Sequence, residues 1–255
     1  MATSVQKKPI VPLPSVERRA WPLRAVVTQT QRAPVSTVRP SSAPVGVDTL
    51  AHWPEDDLVA NHVYVRKGAV LLYRGASFTA LYVVRSGSCK SVVTTPEGQE
   101  QIAAFHIAGE ILGAEGIGDG VYDATITAIE DSEFRAMPFD RVQALAQENH
   151  GFQRTLYAAF AREIRRGRSV ALWLATMRAE QRLASFLLDL ADRYGARGYS
   201  SREFVLRMSR QEIGIHLGLS HETVSRLLSS FHRQSLLRVR GRLLTILDRR
   251  ALQAL

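Results

Sequence analysis

Four polar residues near the C-terminus recur at a spacing that places them on one face of a helix. They are Glu222, Ser225, Arg226 and Ser229, at positions i, i+3, i+4 and i+7. An arginine can donate two hydrogen bonds to guanine O6 and N7, and a glutamate can accept one from the cytosine amino group. The chemistry offered by this face is therefore hydrogen bonding to base edges. A surface ion pair between Glu222 and Arg226 is the simpler alternative, and it is compatible with base contact.

Helix start and stop signals lie just before these residues. Ser209 and Glu212 form a capping box, which predicts the start of a first helix. Gly218 permits the left-handed conformation of a tight turn, and the small Gly214 lies where two helices would cross. Ser220 can then cap a second helix. The combination predicts a helix-turn-helix.

The second helix is predicted over residues 221–233, with an apolar face formed by Val224, Leu227, Leu228 and Phe231. Two short apolar strands follow around Gly241 and predict a hairpin, or wing, whose arginines would lie near a phosphate backbone. The predicted DNA contacts are Ser209, Glu222, Ser225, Arg226, Ser229 and Arg240.

The distribution of charge supports a polyanionic partner for this region. Residues 178–255 carry fourteen arginines and seven acids, for a net charge of +7, within a chain of net charge +9. Residues 1–45 are also basic, with a net charge of +6, and contain seven prolines. They are predicted to be a disordered tail, and an organellar transit peptide is the alternative.

The middle of the chain changes from strands to helices. Short β-branched and aromatic runs between residues 60 and 137, separated by glycine turns, predict an antiparallel barrel or sandwich. A helix is predicted over 139–148 and a longer one over 152–176. The longer helix carries an apolar stripe typical of a coiled-coil seam, which favours self-association over packing on the chain's own core. The predicted dimer interface consists of Leu156, Phe160, Ile164, Ala171 and Leu174, with Gly167 also on the stripe.

Several classes of function are disfavoured. We find no nucleophile elbow, P-loop, HExxH motif or dinucleotide fingerprint in a fitting context, so an enzyme is not expected. The single cysteine, Cys89, excludes an intrachain disulfide, and the seven histidines show no ligand spacing. No metal or other cofactor is expected. Without an apolar run of membrane-spanning length or a secretory signal, the sequence predicts a cytoplasmic protein with no membrane partner.

Residues 60–252 resemble the Crp/Fnr superfamily of bacterial transcription regulators. The runs at 81–87 and 105–110 are similar to its sensor barrel, and those at 179–184 and 221–228 are similar to the Fnr branch in particular. The resemblance implies an α+β chain with a jelly-roll type, cyclic-nucleotide-binding-like β-barrel, a long dimerisation helix and a C-terminal winged helix-turn-helix. The corresponding ranges are 46–150, 151–177 and 178–255. It also implies a homodimer that binds a palindromic TTGAT-like site on double-stranded DNA and contacts RNA polymerase, with Gly98 and Gln99 as possible polymerase contacts.

The chain departs from the family pattern at two sensor sites. Residues 1–60 lack cysteine, and Arg135 occupies the place of the barrel cysteine, so the chain resembles cluster-free relatives of the FixK or Dnr kind. Asp123-Ala124 stands where cyclic-AMP receptors have an Arg-Ser pair that holds the ligand phosphate, and a carboxylate there is repulsive. Glu110 is then expected to be structural or at the surface rather than a ribose ligand. A sensor gated by haem, a diatomic gas or a cyclic nucleotide remains the alternative function, and Cys89 is either inert or redox-active.

Overall fold

A computed structural model describes residues 61–95 and 97–255. The predicted tail at 1–45 and the start of the predicted sensor domain lie outside the described residues. From residue 61 to residue 138, the described residues form eight strands and one short helix. They are β1 Asn61–Val65, β2 Val70–Leu72, β3 Ala80–Ser86, β4 Ser88–Thr94, β5 Glu100–Ile107, β6 Ile111–Leu112, α1 Gly116–Asp119, β7 Thr125–Ala128 and β8 Ser132–Pro138.

The eight strands form two antiparallel sheets rather than a closed barrel. One sheet has the order β1-β8-β3-β6 and the other β2-β7-β4-β5. The edge strands are β1 and β6 in the first sheet and β2 and β5 in the second, and β2 and β6 have only three and two residues. The jelly-roll type is confirmed, and the barrel expectation is corrected to a sandwich. Buried apolar side chains fill the space between the sheets, among them Val84, Cys89, Tyr122, Ile126 and Phe134.

Helices and a small sheet make up the rest of the chain. In order they are α2 Phe139–Glu148, α3 His150–Thr176, α4 Ala179–Gly195, β9 Glu203–Val205, α5 Arg210–Leu217, α6 His221–Arg233, β10 Leu237–Arg240, β11 Leu243–Ile246 and α7 Arg249–Gln253. The predicted helix at 139–148 agrees with α2, and the predicted helix at 152–176 begins two residues earlier, because Asn149 caps α3 through Phe152. No helix in the described ranges is both long and apolar enough to cross a bilayer.

The C-terminal domain, which runs from α4 to α7, packs around α4. Leu183, Leu187, Leu217, Val224 and Leu244 are fully buried in its core. The wing pairs β10 with β11, and β9 adds a third strand that the sequence did not reveal. The same apolar cluster includes Val92, Ile102, Phe105 and Ile129 of the sandwich. The two parts of the chain therefore share a continuous core.

Candidate DNA-binding surface

The helix-turn-helix forms through the local signals that the sequence contains. Ser209 Oγ accepts a hydrogen bond from the Glu212 backbone N–H at 3.1 Å, and the Glu212 carboxylate accepts one from the Ser209 N–H at 2.7 Å. Gly218 ends α5 with φ of 64°. Ser220 then caps α6 by accepting from the Thr223 N–H at 3.1 Å. Both helices are thus fixed at the ends that meet in the turn.

Helix α6 buries one face and exposes the other. Val224, Leu228 and Phe231 are buried against α4 and α5, whereas Glu222, Arg226 and Ser229 are exposed and Ser225 is half-buried. The predicted inward and outward faces are therefore correct in burial, apart from Leu227 and Ser225, which are both half-buried. A single strip of polar side chains along α6 faces solvent, as a helix entering a major groove requires.

The polar groups on this strip are arranged by neighbouring side chains. The Arg226 guanidinium donates to Thr223 Oγ1 at 3.3 Å. Glu222 Oε1 lies 3.3 Å from His221 Nδ1, so the carboxylate is next to the imidazole of its neighbour. A hydrogen bond from its own backbone N–H lowers the pKa of Glu222, with help from Ser220. The carboxylate is thus ionised at neutral pH and available as an acceptor.

Two residues beside the strip were missed in the sequence analysis. His221 is the first residue of α6 and its side chain is 62% exposed. Arg210, on α5, reaches across the turn and donates to Ser225 Oγ at 3.2 Å. The signal for His221 was its position four residues before Ser225, which puts both on one helical face. Arg210 gave no such signal, because its contact spans two helices.

The remaining predicted DNA contacts lie at the two ends of the same surface. Ser209 is exposed just before α5, and its hydroxyl oxygen accepts the capping bond, which leaves the O–H as a possible donor. Arg240 is exposed at the end of β10, next to Gly241, whose φ of 61° forms the wing turn. The Ser229 hydroxyl donates to the Ser225 carbonyl at 2.9 Å. Among these residues, Arg226 and Arg240 carry the exposed cationic groups.

The sandwich holds α5 in place through three polar contacts. Lys90 Nζ donates to Glu212 at 2.8 Å, and the Gln101 side chain donates to the Ile215 carbonyl at 2.8 Å. The buried His216 ring has its Nδ1 2.9 Å from the Ile102 carbonyl oxygen. Strands β4 and β5 therefore fix the orientation of the first helix, and through it that of α6.

Glu110 lies at the centre of a buried ion cluster between the sandwich, α3 and α4. Its carboxylate accepts hydrogen bonds from Arg193 at 2.7 Å, from Arg197 at 2.9 Å and from Arg166 at 3.0 Å. The expectation of a structural residue fits this position. Burial alone would raise the pKa of Glu110, but the guanidiniums of Arg193, Arg166 and Arg197 outweigh it and hold that pKa well below its usual range.

The same cluster contains the donors that come nearest to a metal site. His106, Glu110 and Glu163 place ligand atoms within 4.8 Å of one another. Burial lowers the pKa of His106 to about 3, so its imidazole is neutral. The three guanidiniums, however, already occupy the Glu110 oxygens and repel a further cation. This donor set therefore does not fit a metal ion.

The structure also places the other residues of the sandwich that the sequence analysis considered. Cys89 is fully buried, and burial raises the pKa of its thiol, which favours the inert interpretation over a redox role. Asp123 is exposed, with its carboxylate 3.6 Å from Arg74 Nε. Gly98 and Gln99 are exposed at the tip between β4 and β5.

Helix α3 places the predicted dimer residues unevenly. Ile164 and Ala171 are exposed, and Phe160 and Leu174 are half-buried. Leu156 does not belong with them, because it is only 5% exposed and packs with Met137 of β8 and Phe152 of α3 in an apolar cluster separate from the one between the sheets. Its neighbour Tyr157 takes the exposed position, at 59%. Periodicity alone did not distinguish these two adjacent apolar residues.

Comparisons with known proteins agree with this architecture. Residues 62–149 match the model of the cyclic nucleotide-binding domain, and residues 181–255 match that of the Crp-like helix-turn-helix domain. The transcriptional regulatory protein btr of Bordetella pertussis is 40% identical over 205 residues, covering 80% of this chain and 85% of that protein. The fumarate and nitrate reduction regulatory protein of Escherichia coli is 36% identical over 200 residues, covering 78% and 80%.

A solved structure shows the same fold. FixK2 from Bradyrhizobium japonicum superposes with a TM-score of 0.69 and 31% identity, covering 78% of this chain and 98% of that one. Together with the exposed polar strip of α6, these similarities show that the chain belongs to the Crp/Fnr family of DNA-binding transcription regulators.

Proposed function

We propose that the protein acts as a homodimer on a palindromic TTGAT-like DNA site, and that neither an iron–sulfur cluster nor cyclic AMP is needed. The observation that carries the proposal is the exposed Glu222-x-x-Ser225-Arg226 strip of α6, which offers an ionised acceptor and a guanidinium to base edges. Arg240 on the wing adds a phosphate contact. Because its relatives are transcription regulators, we also propose that the protein is cytoplasmic and acts by binding DNA rather than as an enzyme.

Different residues support the independence from an iron–sulfur cluster and the independence from cyclic AMP. One cysteine per chain cannot supply the four thiolates of an intrachain cluster. At the position of the phosphate-binding pair, Asp123 presents a carboxylate that repels phosphate. We further propose that the exposed tip at Gly98 and Gln99 contacts RNA polymerase.

A ligand-gated regulator is the second candidate, and one cavity favours it. A cleft of about 380 Å³ lies between the sandwich and the C-terminal domain, with Arg85, Tyr194, Tyr199 and Arg207 in its lining. This volume is within the range of small-molecule sites. A haem, a nucleotide or another small ligand bound there would couple the two parts of the chain.

A DNA-binding titration of protein purified in air distinguishes the ligand-independent regulator from the ligand-gated one. We expect the protein, purified without reconstitution or added nucleotide, to be a colourless dimer that binds a palindromic TTGAT-type duplex with a Kd of about 10⁻⁸ M or below at physiological salt. Fluorescence anisotropy with specific and scrambled duplexes measures this. Binding that strictly requires cyclic AMP, haem or anaerobic cluster assembly would instead establish the ligand-gated candidate.

Arg226→Ala should weaken specific DNA binding by roughly 1–3 kcal/mol, because two hydrogen bonds to a base are lost. It should also relax the sequence preference at one base pair of each half-site. Arg240→Ala on the wing is the matched control. It should weaken specific and scrambled duplexes about equally, since a phosphate contact carries no sequence information. Binding to a panel of single-base variants of the site measures both. Unchanged specificity in Arg226→Ala would show that α6 is not the recognition helix.

A further inference from the structure

The cleft between the sandwich and the C-terminal domain has an aromatic half and a charged half. Its volume of about 380 Å³ is enough for a molecule of one or two aromatic rings. Within the described ranges, no residue of α3 lines this cleft, and neither does Glu110 or Asp123. The cleft is therefore separate from the sensor positions that the sequence analysis considered.

Two tyrosines at the end of α4 form the aromatic half. The Tyr199 ring packs edge-on against the Tyr194 ring, with centroids 6.3 Å apart and planes at 81°. Tyr194 also packs on Phe204 of β9, with centroids 5.3 Å apart. Tyr199 is nevertheless 62% exposed. An exposed ring that a second ring holds in place offers a flat apolar surface to a ligand.

The hydroxyl of Tyr194 is available beside this surface. Among the described residues it has no hydrogen-bond partner, although the side chain is half-buried. Burial raises the pKa of Tyr194 above its usual value, so the hydroxyl keeps its proton at neutral pH. It can therefore donate a hydrogen bond to a group bound in the cleft.

Guanidinium groups dominate the charged half. Three arginines and two glutamates line the cleft, for a net charge of +1. The Glu203 carboxylate accepts a hydrogen bond from Thr245, and the Glu130 carboxylate lies 3.0 Å from Arg207 Nη1. The Arg207 side chain is still 46% exposed, and this ion pair uses only one of its nitrogens. The remaining N–H groups of Arg207 can bind an oxyanion.

We propose that this cleft binds a small planar aromatic molecule with an oxyanion group, such as an aryl phosphate or aryl carboxylate. Its ring packs on Tyr199 and Tyr194, and its oxyanion pairs with Arg207. The inference gives a ligand class to the second candidate function, on which it rests.

A ligand of this class would also change a contact between the two parts of the chain. Glu130 belongs to the sandwich, whereas Arg207 lies two residues before Ser209, the cap of α5. An oxyanion on Arg207 competes with the Glu130 carboxylate for the same guanidinium. The bound molecule thus replaces the direct ion pair by a contact through itself, close to the start of the helix-turn-helix.

Calorimetric titration with naphthyl phosphate tests the site. We expect saturable binding with a Kd below about 1 mM, and at least about tenfold weaker binding of inorganic phosphate or naphthol, because each carries only half of the recognised groups. Arg207→Gln should weaken naphthyl phosphate binding by about tenfold or more, and Tyr199→Ala by about fivefold. Glu130→Gln should tighten it by about twofold or more, since it removes the competing carboxylate.

Matched variants at exposed positions outside the cleft are the controls. Tyr73→Ala and Arg141→Gln make the same chemical changes and should leave the Kd for naphthyl phosphate unchanged. Arg226→Ala should also leave it unchanged, which excludes binding of the phosphate at the DNA surface. Circular dichroism checks that each variant is folded.

The outcomes separate this inference from the DNA-binding proposal. The ligand class is wrong if inorganic phosphate or naphthol binds as tightly as naphthyl phosphate. The site is wrong if naphthyl phosphate does not bind below about 1 mM, or if Arg207→Gln and Tyr199→Ala bind it like Arg141→Gln and Tyr73→Ala. Binding to the palindromic duplex is measured without naphthyl phosphate, so its failure is a separate result.

Discussion

Replacing Glu110 with alanine is expected to destabilise the folded chain by roughly 3–5 kcal/mol. The side chain of Glu110 is only 2% exposed, and its two oxygens accept from Arg166, Arg193 and Arg197. Without the carboxylate, three guanidiniums would be left close together with little solvent to separate them. Because these arginines come from α3, from α4 and from the segment just after α4, the loss should also loosen the contact between the sandwich and the C-terminal domain.

Urea-induced unfolding followed by circular dichroism measures this change. Glu100→Ala is the matched control, since Glu100 is an exposed carboxylate at the other end of β5, and it should change stability by less than about 0.5 kcal/mol. Faster proteolysis between α3 and β9 in Glu110→Ala would report the loosened interface. Equal stability of the two variants would contradict the role assigned to the cluster.

The same cluster determines the response to acid. The pKa of Glu110 is held below its ordinary value, so the native state favours the ionised carboxylate. Its contribution is therefore fully present above the ordinary glutamate pKa of 4.5 and is lost as the pH falls through the native value. Glu110→Gln should accordingly flatten the loss of stability below pH 4.5.

Gly214→Ala should distort the helix-turn-helix and weaken specific DNA binding. A Cβ at this position would lie 2.5 Å from the Leu219 carbonyl oxygen and close to the backbone of Ser220 and His221. Backbone atoms in a capped turn cannot move aside as a flexible side chain can. The clash is expected to cost about 1–3 kcal/mol, more than the gain of about 1 kcal/mol in helix propensity.

Gly167→Ala is the control, and it is expected to raise the stability of the protein rather than lower it. A Cβ there meets nothing within 4 Å, so Gly167→Ala should stabilise α3 by up to about 1 kcal/mol. Thermal unfolding of both variants, with anisotropy on the palindromic duplex, gives the comparison. If Gly214→Ala retains full affinity, the close crossing of α5 and α6 is not required for DNA binding.

The helix-turn-helix could be predicted in detail because its signals are local. The capping box at Ser209, the turn at Gly218 and the cap at Ser220 each act within five residues, and all three are formed. The wing followed in the same way from Gly241 and its flanking strands. Strands β3, β4 and β5 were also predictable, since their β-branched runs are bounded by glycine turns.

Other elements gave no comparable signal. Strand β6 has two residues, too few for a recognisable period, and β9 forms only because β11 offers it an edge. The Glu110 cluster joins residues 56 to 87 positions apart in sequence, which no local pattern indicates. Leu156 was assigned to the wrong face for the same reason, because only the position of the sandwich decides whether it or Tyr157 is buried.

The contact between the sandwich and the C-terminal domain also predicts which of its residues can be substituted during evolution. Several of its hydrogen bonds end on backbone carbonyl oxygens of the sandwich. His216 contacts the carbonyl oxygen of Ile102. Arg193 donates to the carbonyl oxygen of Phe105, and Arg197 donates to the carbonyl oxygen of Ala108. A backbone carbonyl remains whatever side chain the residue carries, so these sandwich positions can change without losing the acceptor. The donors cannot change in this way, so at these three contacts the evolutionary constraint falls on the residues His216, Arg193 and Arg197.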